Sequence, residues 1–267
     1  MLETPGYIGV PKLQQSPIAV NQQGHALSYV VGVYFGDASI NRAWTNDDGS
    51  ETLQMRLRVI DEDFVQRFAK EVEEAFPGSN PKITLNAANG EKGHHGKKPL
   101  HQVRVRRGVP EYILSIAGKR TLIPNVVYRS KADTRAFVEG ILDSEGWVFI
   151  QSGNLGAFYL QVGFAMTSDV VYELQKMLQR LGIKTAKIKT KHYPSGKILK
   201  SCMFNTASFL DSKLKFTARR KQGRIDAFVA ARKLLSDTGF YNPSGASFND
   251  YKLGYREFVR DGLLANE

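Results

Sequence analysis

The chain has 267 residues, enough for one large domain or two of ordinary size, and its 37 Lys and Arg against 26 Asp and Glu give a net charge of +11 and a pI near 9.6. That balance favours a polyanionic partner such as nucleic acid over a small acidic ligand. A single cysteine, Cys202, excludes an intrachain disulfide, no apolar run reaches the ~20 residues of a membrane span, and the opening "MLETPGYIGVPK" lacks a signal-peptide apolar core, so an intracellular, membrane-free protein is expected.

After an N-terminal arm (residues 1–24), the first patterned stretch is "YVVGVYFGDAS", Tyr29 to Ser39, with Gly32 and Gly36 four apart and a closing Asp37. Each glycine costs a helix about 1 kcal/mol relative to alanine, so two in one short apolar segment require a compensating contact. Next, "TLQMRLRV", Thr52 to Val59, alternates Leu53, Met55, Leu57 and Val59 against Gln54, Arg56 and Arg58, which predicts a half-buried strand. "DEDFVQRFAKEVEEAF" follows, with Phe64, Phe68 and Val72 on one helical stripe.

Residues 77–100 are rich in turn formers and predict an inserted loop. "QVRVRRGVPEYILSI", Gln102 to Ile116, then predicts a hairpin that turns at Gly-Val-Pro and carries Arg104 and Arg106 on its polar face. A linker is expected over residues 124–132, between a first unit at 25–123 and a second at 133–239.

The second unit repeats the first. In "TRAFVEGILDSEGWV", Thr134 to Val148, aligning Glu145 with Asp37 places Gly140 on Gly32, Ser144 on Gly36 and Ala136 on Ser28. Each segment therefore carries small residues at i, i+4 and i+8, one helical face, followed at once by a carboxylate. "YLQVGFAM", Tyr159 to Met166, predicts the matching strand with Gln161 outward, and "SDVVYELQKMLQRLG" the matching helix with Val171, Leu174 and Leu178. "AKIKTKHYPSGKILKS" predicts a hairpin with Lys187, Lys189 and Lys191 around Pro194-Ser195-Gly196. A tail over residues 240–267 adds an amphipathic helix around Tyr251, Tyr255 and Phe258.

Glycine ridges on two helices let their backbones approach closely. If the two ridges face each other, Asp37 and Glu145 meet near two helix C-termini, where the helix dipoles and mutual repulsion disfavour them unless cations intervene. Oxygen-only ligation suits Mg²⁺, and a metal-bound water delivered to a phosphate is nuclease chemistry. Charge is also segregated: residues 184–221 hold eleven Lys or Arg and one acid, Asp211, whereas residues 61–76 hold six acids and two bases. Basic strands beside an acidic helix mark the sheets as the nucleic-acid side, and a two-stranded ribbon fits a major groove. The other polar groups are less informative. His94 and His95 stand in the loop without partners at metal-ligand spacing, Cys202 fits a packing role, and no phosphate-binding glycine loop or nucleophile elbow occurs.

The segments "VVGVYFGDA", Val30 to Ala38, and "VEGILDSEG", Val138 to Gly146, resemble the two signature copies of the single-chain LAGLIDADG homing endonucleases. The resemblance spans about Ser28 to Leu235 and implies an α+β fold. That fold is a pseudo-twofold repeat of αββαββα, with the signature helices at the interface and the antiparallel sheets forming a DNA-binding saddle. It further implies that Asp37 and Glu145, with the main-chain carbonyls of Gly36 and Ser144, share two or three Mg²⁺ ions. A basic or polar residue is implied near "ARRKQ", Ala218 to Gln222, where Arg219 or Lys221 serves either the reaction centre or a plain phosphate contact. Three positions depart from the signature. Ala38 replaces its closing glycine, which predicts a lost left-handed cap; Glu145 stands for the usual Asp; and Glu139 occupies an ordinarily apolar position. The expected activity is sequence-specific double-strand DNA cleavage by a monomer, and the competing reading is a silent nucleic-acid binder such as a group I intron maturase, with intron RNA as partner.

Overall fold

A computed structural model describes residues 18–21, 24–45, 47, 49, 51–86, 99–106, 108–120, 122–152 and 158–237. The first half runs α1 (Ala26–Phe35), β1 (Ser39–Thr45), β2 (Glu51–Val59), α2 (Glu62–Ala75), β3 (Lys82–Asn86), β4 (Leu100–Val105) and α3 (Val109–Ala117). A 3₁₀ turn at Asn125–Tyr128 leads into the second half. There α4 (Lys131–Glu145), β5 (Gly146–Ser152), β6 (Phe158–Met166), α5 (Val170–Arg180), β7 (Lys189–His192), β8 (Ile198–Met203) and α6 (Thr206–Asp211) repeat the order, and α7 (Arg219–Asp237) follows. Each half has one four-stranded antiparallel sheet, ordered β1-β2-β4-β3 and β5-β6-β8-β7. Identical strand order in two sheets built from successive αββαββα units is the pseudo-twofold repeat that the sequence implied.

α1 is buried on every side, which is why Ala26–Phe35 carries almost no polar residue. It packs against α2 and, across the halves, against α4. A Cβ added to Gly140 would lie 2.5 Å from Tyr29 O and 2.9 Å from Val33 N, and one on Gly32 would collide with Phe137 O and lie 3.2 Å from Gly140 Cα. Only glycine permits this approach, and the contact offsets its intrinsic helix cost. Ser130 caps α4, its Oγ accepting from Asp133 N at 3.0 Å while donating to Asp133 Oδ2 at 2.7 Å.

Three expectations are corrected. The segment after Arg106 is not the return strand of a hairpin. Gly108, at φ 81°, turns the chain, Pro110 occupies the first helical turn, and Val109, Ile113 and Ala117 bury the stripe of α3. The strand paired with β4 on that side is β3, joined in register Lys82↔Arg104 and Thr84↔Gln102, so the expected insert at 77–100 contains a repeat strand. Finally, no left-handed cap is lost at Ala38. Gly36 has φ −94°, Ala38 has no positive φ, and Ala38 N donates to Val33 O at 3.0 Å. His94, His95 and the expected tail helix around Tyr251, Tyr255 and Phe258 lie outside the described residues.

Candidate active site and nucleic-acid interface

Both signature segments deliver their acids to the same place. A Cβ on Gly36 would collide with the Ser144 side chain, its Oγ at 2.7 Å, and would reach Glu145 Cγ at 3.4 Å. The two helix ends are not superposable, however: Asp37 lies one residue beyond the capping Gly36, whereas Glu145 is the last residue of α4 before Gly146. Partial desolvation raises the pKa of both carboxyls, that of Asp37 even though its side chain is exposed, and for Glu145 the negative charge of Asp37 adds to it, holding the group at about 7.

Two cations from the ends of the halves face this pair. Lys221, in the first turn of α7 and 7% exposed, donates from Nζ to Leu142 O at 3.2 Å and Asp143 O at 2.6 Å, carbonyls of the last turn of α4. Arg120, just past α3, donates from Nη2 to Ala38 O and lies over the Tyr34 ring at 5.2 Å. The charges of both act on Asp37 and on Glu145, opposing the effect of burial. Burial also lowers the Lys221 pKa, although the negative charges of Asp143, Asp61 and Asp37 act against that shift. Arg219 is separated from Lys221: its side chain is exposed while its backbone N–H donates to Asp63 Oδ2. Arg220 pairs with both oxygens of Asp61, at 3.2 and 3.1 Å, tying α7 of the second half to the start of α2 in the first.

Sequence reading missed Arg120, yet the repeat carried the signal, because "GKR" follows α3 as "ARRK" follows α6, its counterpart in the second half. It also missed a buried network behind the acids. Arg67 Nη2 donates to Glu139 at 2.6 Å, Nη1 donates to Thr217 Oγ1 at 2.8 Å, and the guanidinium lies 4.1 Å from the Tyr29 ring centre. Asp143 accepts from Tyr29 OH at 2.7 Å and from Thr217 N and Oγ1 at 2.6 Å each. Glu139, the polar departure in the signature, is therefore half of an ion pair that joins the two halves.

The side-chain donors at the helix ends are oxygen, the carboxylates of Asp37 and Glu145. Among the described residues no group of three or more His, Cys, Asp or Glu forms a metal cage, so a cation here would need main-chain oxygens, phosphate or water as well. That is the coordination preference of a hard divalent ion such as Mg²⁺. The Ser144 hydroxyl is already engaged, donating to Gly140 O at 3.0 Å.

The strand-borne candidates fall where alternation placed them. Met55 and Leu57 are in the core, so Gln54, Arg56 and Arg58 lie on the opposite, outer face, and Arg56 is paired with Arg104 across β2 and β4. Arg106 covers the Trp44 ring at 4.4 Å, after a register shift in β1 between Arg42 and Trp44. In the second sheet Gln161 lies opposite Phe149, and Lys189 and Lys191 line the edge strand, exposed, with Lys187 just before it.

Residues 132–212 match the family model of a LAGLIDADG-like domain. The LAGLIDADG homing endonuclease I-GzeII, solved in complex with its DNA target, superposes with a TM-score of 0.51 at 9% identity, over 90% of this chain and 98% of that one. The chain has the LAGLIDADG homing-endonuclease fold. A variant of I-DmoI, solved with its target DNA in the presence of Mn, gives 0.50 at 12% identity over 73% of this chain and 96% of the other. A curated relative, the uncharacterized protein MJ0314 of Methanocaldococcus jannaschii, is 28% identical over 177 residues, 64% of this chain. The chain spans 60% of that relative's length. Among the described residues, no helix is long and apolar enough to cross a membrane.

Proposed function

We propose that the chain is a divalent-metal-dependent, sequence-specific double-strand DNA endonuclease, each half reading one side of a long, imperfectly palindromic site. The observation that carries this reading is the meeting of Asp37 and Glu145 at the junction of the halves, with Lys221 and Arg120 beside them. The DNA complexes of the structural neighbours support duplex DNA as the partner. The basic outer strand faces support it independently.

Asp37 and Glu145, with the Gly36 and Ser144 carbonyls, would hold Mg²⁺, which supplies a Lewis acid and a water of lowered pKa next to the scissile phosphate. The chain's own residues do the rest. Lys221 has three N–H donors and spends two on main-chain carbonyls, leaving the third for a phosphate oxygen or the attacking water. Arg120 keeps further guanidinium donors beyond the one given to Ala38 O, so negative charge growing on the phosphorane meets a cation from each half. The Arg67 network fixes the rear of the site: Asp143 holds both the N–H and the hydroxyl of Thr217, and that segment leads directly into Lys221.

The test uses the full chain, a site selected from a randomised duplex library, and supercoiled plasmid carrying it. Asp37→Asn and Glu145→Gln should each abolish double-strand cleavage while DNA binding without metal persists or tightens, since a negative charge aimed at phosphate is gone. Full linearisation by the double variant would refute the mechanism. Tight selection of a site that the wild-type chain never cuts with Mg²⁺ would instead indicate a silent binder.

A further inference from the structure

We infer that the sheet of the second half reads thymine methyl groups through an aromatic platform, so that the two sides of the recognised site are read by different chemistry. The inference deepens the DNA-binding reading above and rests on it.

The contrast lies on the outer faces of two otherwise matching sheets. In β1 the outward positions are Ser39 and Asn41, opposite Arg56 and Gln54. The corresponding positions of β5 are Trp147 and Phe149, on the face opposite Val148, which is buried against Val162. Phe149 is 55% exposed, and its ring centre lies 5.4 Å from that of Trp147 with a 30° tilt. Backbone space is kept for this arrangement: a Cβ on Gly163 would come within 2.6 Å of Trp147 Cζ2, so the indole lies across a strand position with no side chain. The same face continues through Ala165 and Met203, which are partly buried, and meets Lys189 in register at Ser201.

An exposed Phe149 ring backed by a partly buried Trp147 on a sheet's outer face calls for an apolar partner. Exposed Lys189 and Lys191 on the adjoining edge strand supply the charge complementarity, which selects a polyanion that also carries apolar groups. In a duplex major groove, the thymine C5-methyl is the apolar feature of the base edges, and Phe and Ala are suited to contact it. In the first sheet the exposed Trp44 ring is covered by the Arg106 guanidinium, and Asn41, Gln54, Arg56 and Arg104 instead offer hydrogen bonds suited to purine edges.

The experiment selects duplexes bound by the full chain with Ca²⁺ in place of Mg²⁺ and then replaces each thymine of the selected site, one at a time, by deoxyuridine, which lacks only the methyl. Each contacted methyl should contribute about fourfold in affinity. The losses should cluster on one side of the site, and Phe149→Asn, which copies the first half, should erase part of them while its melting temperature stays close to wild type. No loss at any position, equal losses on both sides, a selected site without thymine on either side, or losses that Phe149→Asn leaves unchanged would each overturn the inference. Failure to select any duplex overturns the DNA-binding reading itself, a distinguishable outcome.

Discussion

Glu145 titrates near neutrality because burial and the neighbouring Asp37 charge both favour its protonated form. On the proposed function, a divalent cation held by Glu145 would displace that proton, coupling its binding to proton release. Affinity for Mg²⁺ in the absence of DNA should rise up to tenfold per pH unit below about 7 and level off above it. Calorimetry in two buffers of different ionisation enthalpy should detect the released proton at pH 6.5, and Glu145→Gln should abolish it; equal heats in both buffers for the wild type would contradict the coupling. The stability consequence has a definite sign. A carboxyl whose folded pKa is raised stabilises the fold below its unfolded value, and that contribution is lost as pH rises from the ordinary carboxyl value of 4.5 through about 7. The metal-free protein should therefore unfold more easily at pH 8 than at pH 5.5 through this group, with Mg²⁺ restoring stability at the higher pH. Glu139 teaches a different residue-scale lesson. In sequence it is a polar residue in an apolar pattern, and its reason, Arg67 at 2.6 Å, lies 72 positions away where no local pattern points.

At the scale of elements, what was legible depended on burial. α1, α4, β2 and β6 each bury one face or more, so their periods were imprinted on the sequence. β3 is a strand of 5 residues in which Ile83 and Leu85 do alternate with Lys82 and Thr84, but so short and exposed a run amid turn formers read as a loop. Tyr112 to Ile116 has β-branched and aromatic residues, which favoured a strand, but the burial of Val109, Ile113 and Ala117 decided for a helix. The glycine ridges, in contrast, pointed to their partner because two copies carried them at one phase. Gly140→Ala places a methyl against Tyr29 O and Val33 N, main-chain atoms that cannot turn aside. Overpacking here should cost about 1–3 kcal/mol, lowering the melting temperature by several degrees. Gly223→Ala, on α7 with open space around the added methyl, is the control and should leave stability unchanged or slightly higher. Equal melting temperatures for wild type and Gly140→Ala would remove the proposed helix contact.

At the scale of the whole molecule, the net charge of +11 is distributed so that acidic α2 packs behind the first sheet while Arg56 and Arg104 lie on its other face, a separation visible in sequence because strand and helix carry their charges in separate blocks. What a cation does on that surface depends on its place. Arg104 stands mid-sheet between Arg56 of β2 and Lys82 of β3, where on the proposed function a guanidinium would lie against base edges, whereas Lys189 belongs to the edge strand β7, where an ammonium would meet the phosphate backbone. Arg104→Ala should accordingly cost about 1–3 kcal/mol at one base position and relax the preference there. Lys189→Ala should weaken binding to all sequences alike and reduce the slope of log K against log salt by about one. Affinities measured across a library of single-base site variants, at two or more salt concentrations, separate the two behaviours. If both substitutions gave the same sequence profile and the same change in slope, the division of labour between sheet centre and sheet edge would be wrong, and the basic faces would act as an undifferentiated electrostatic surface.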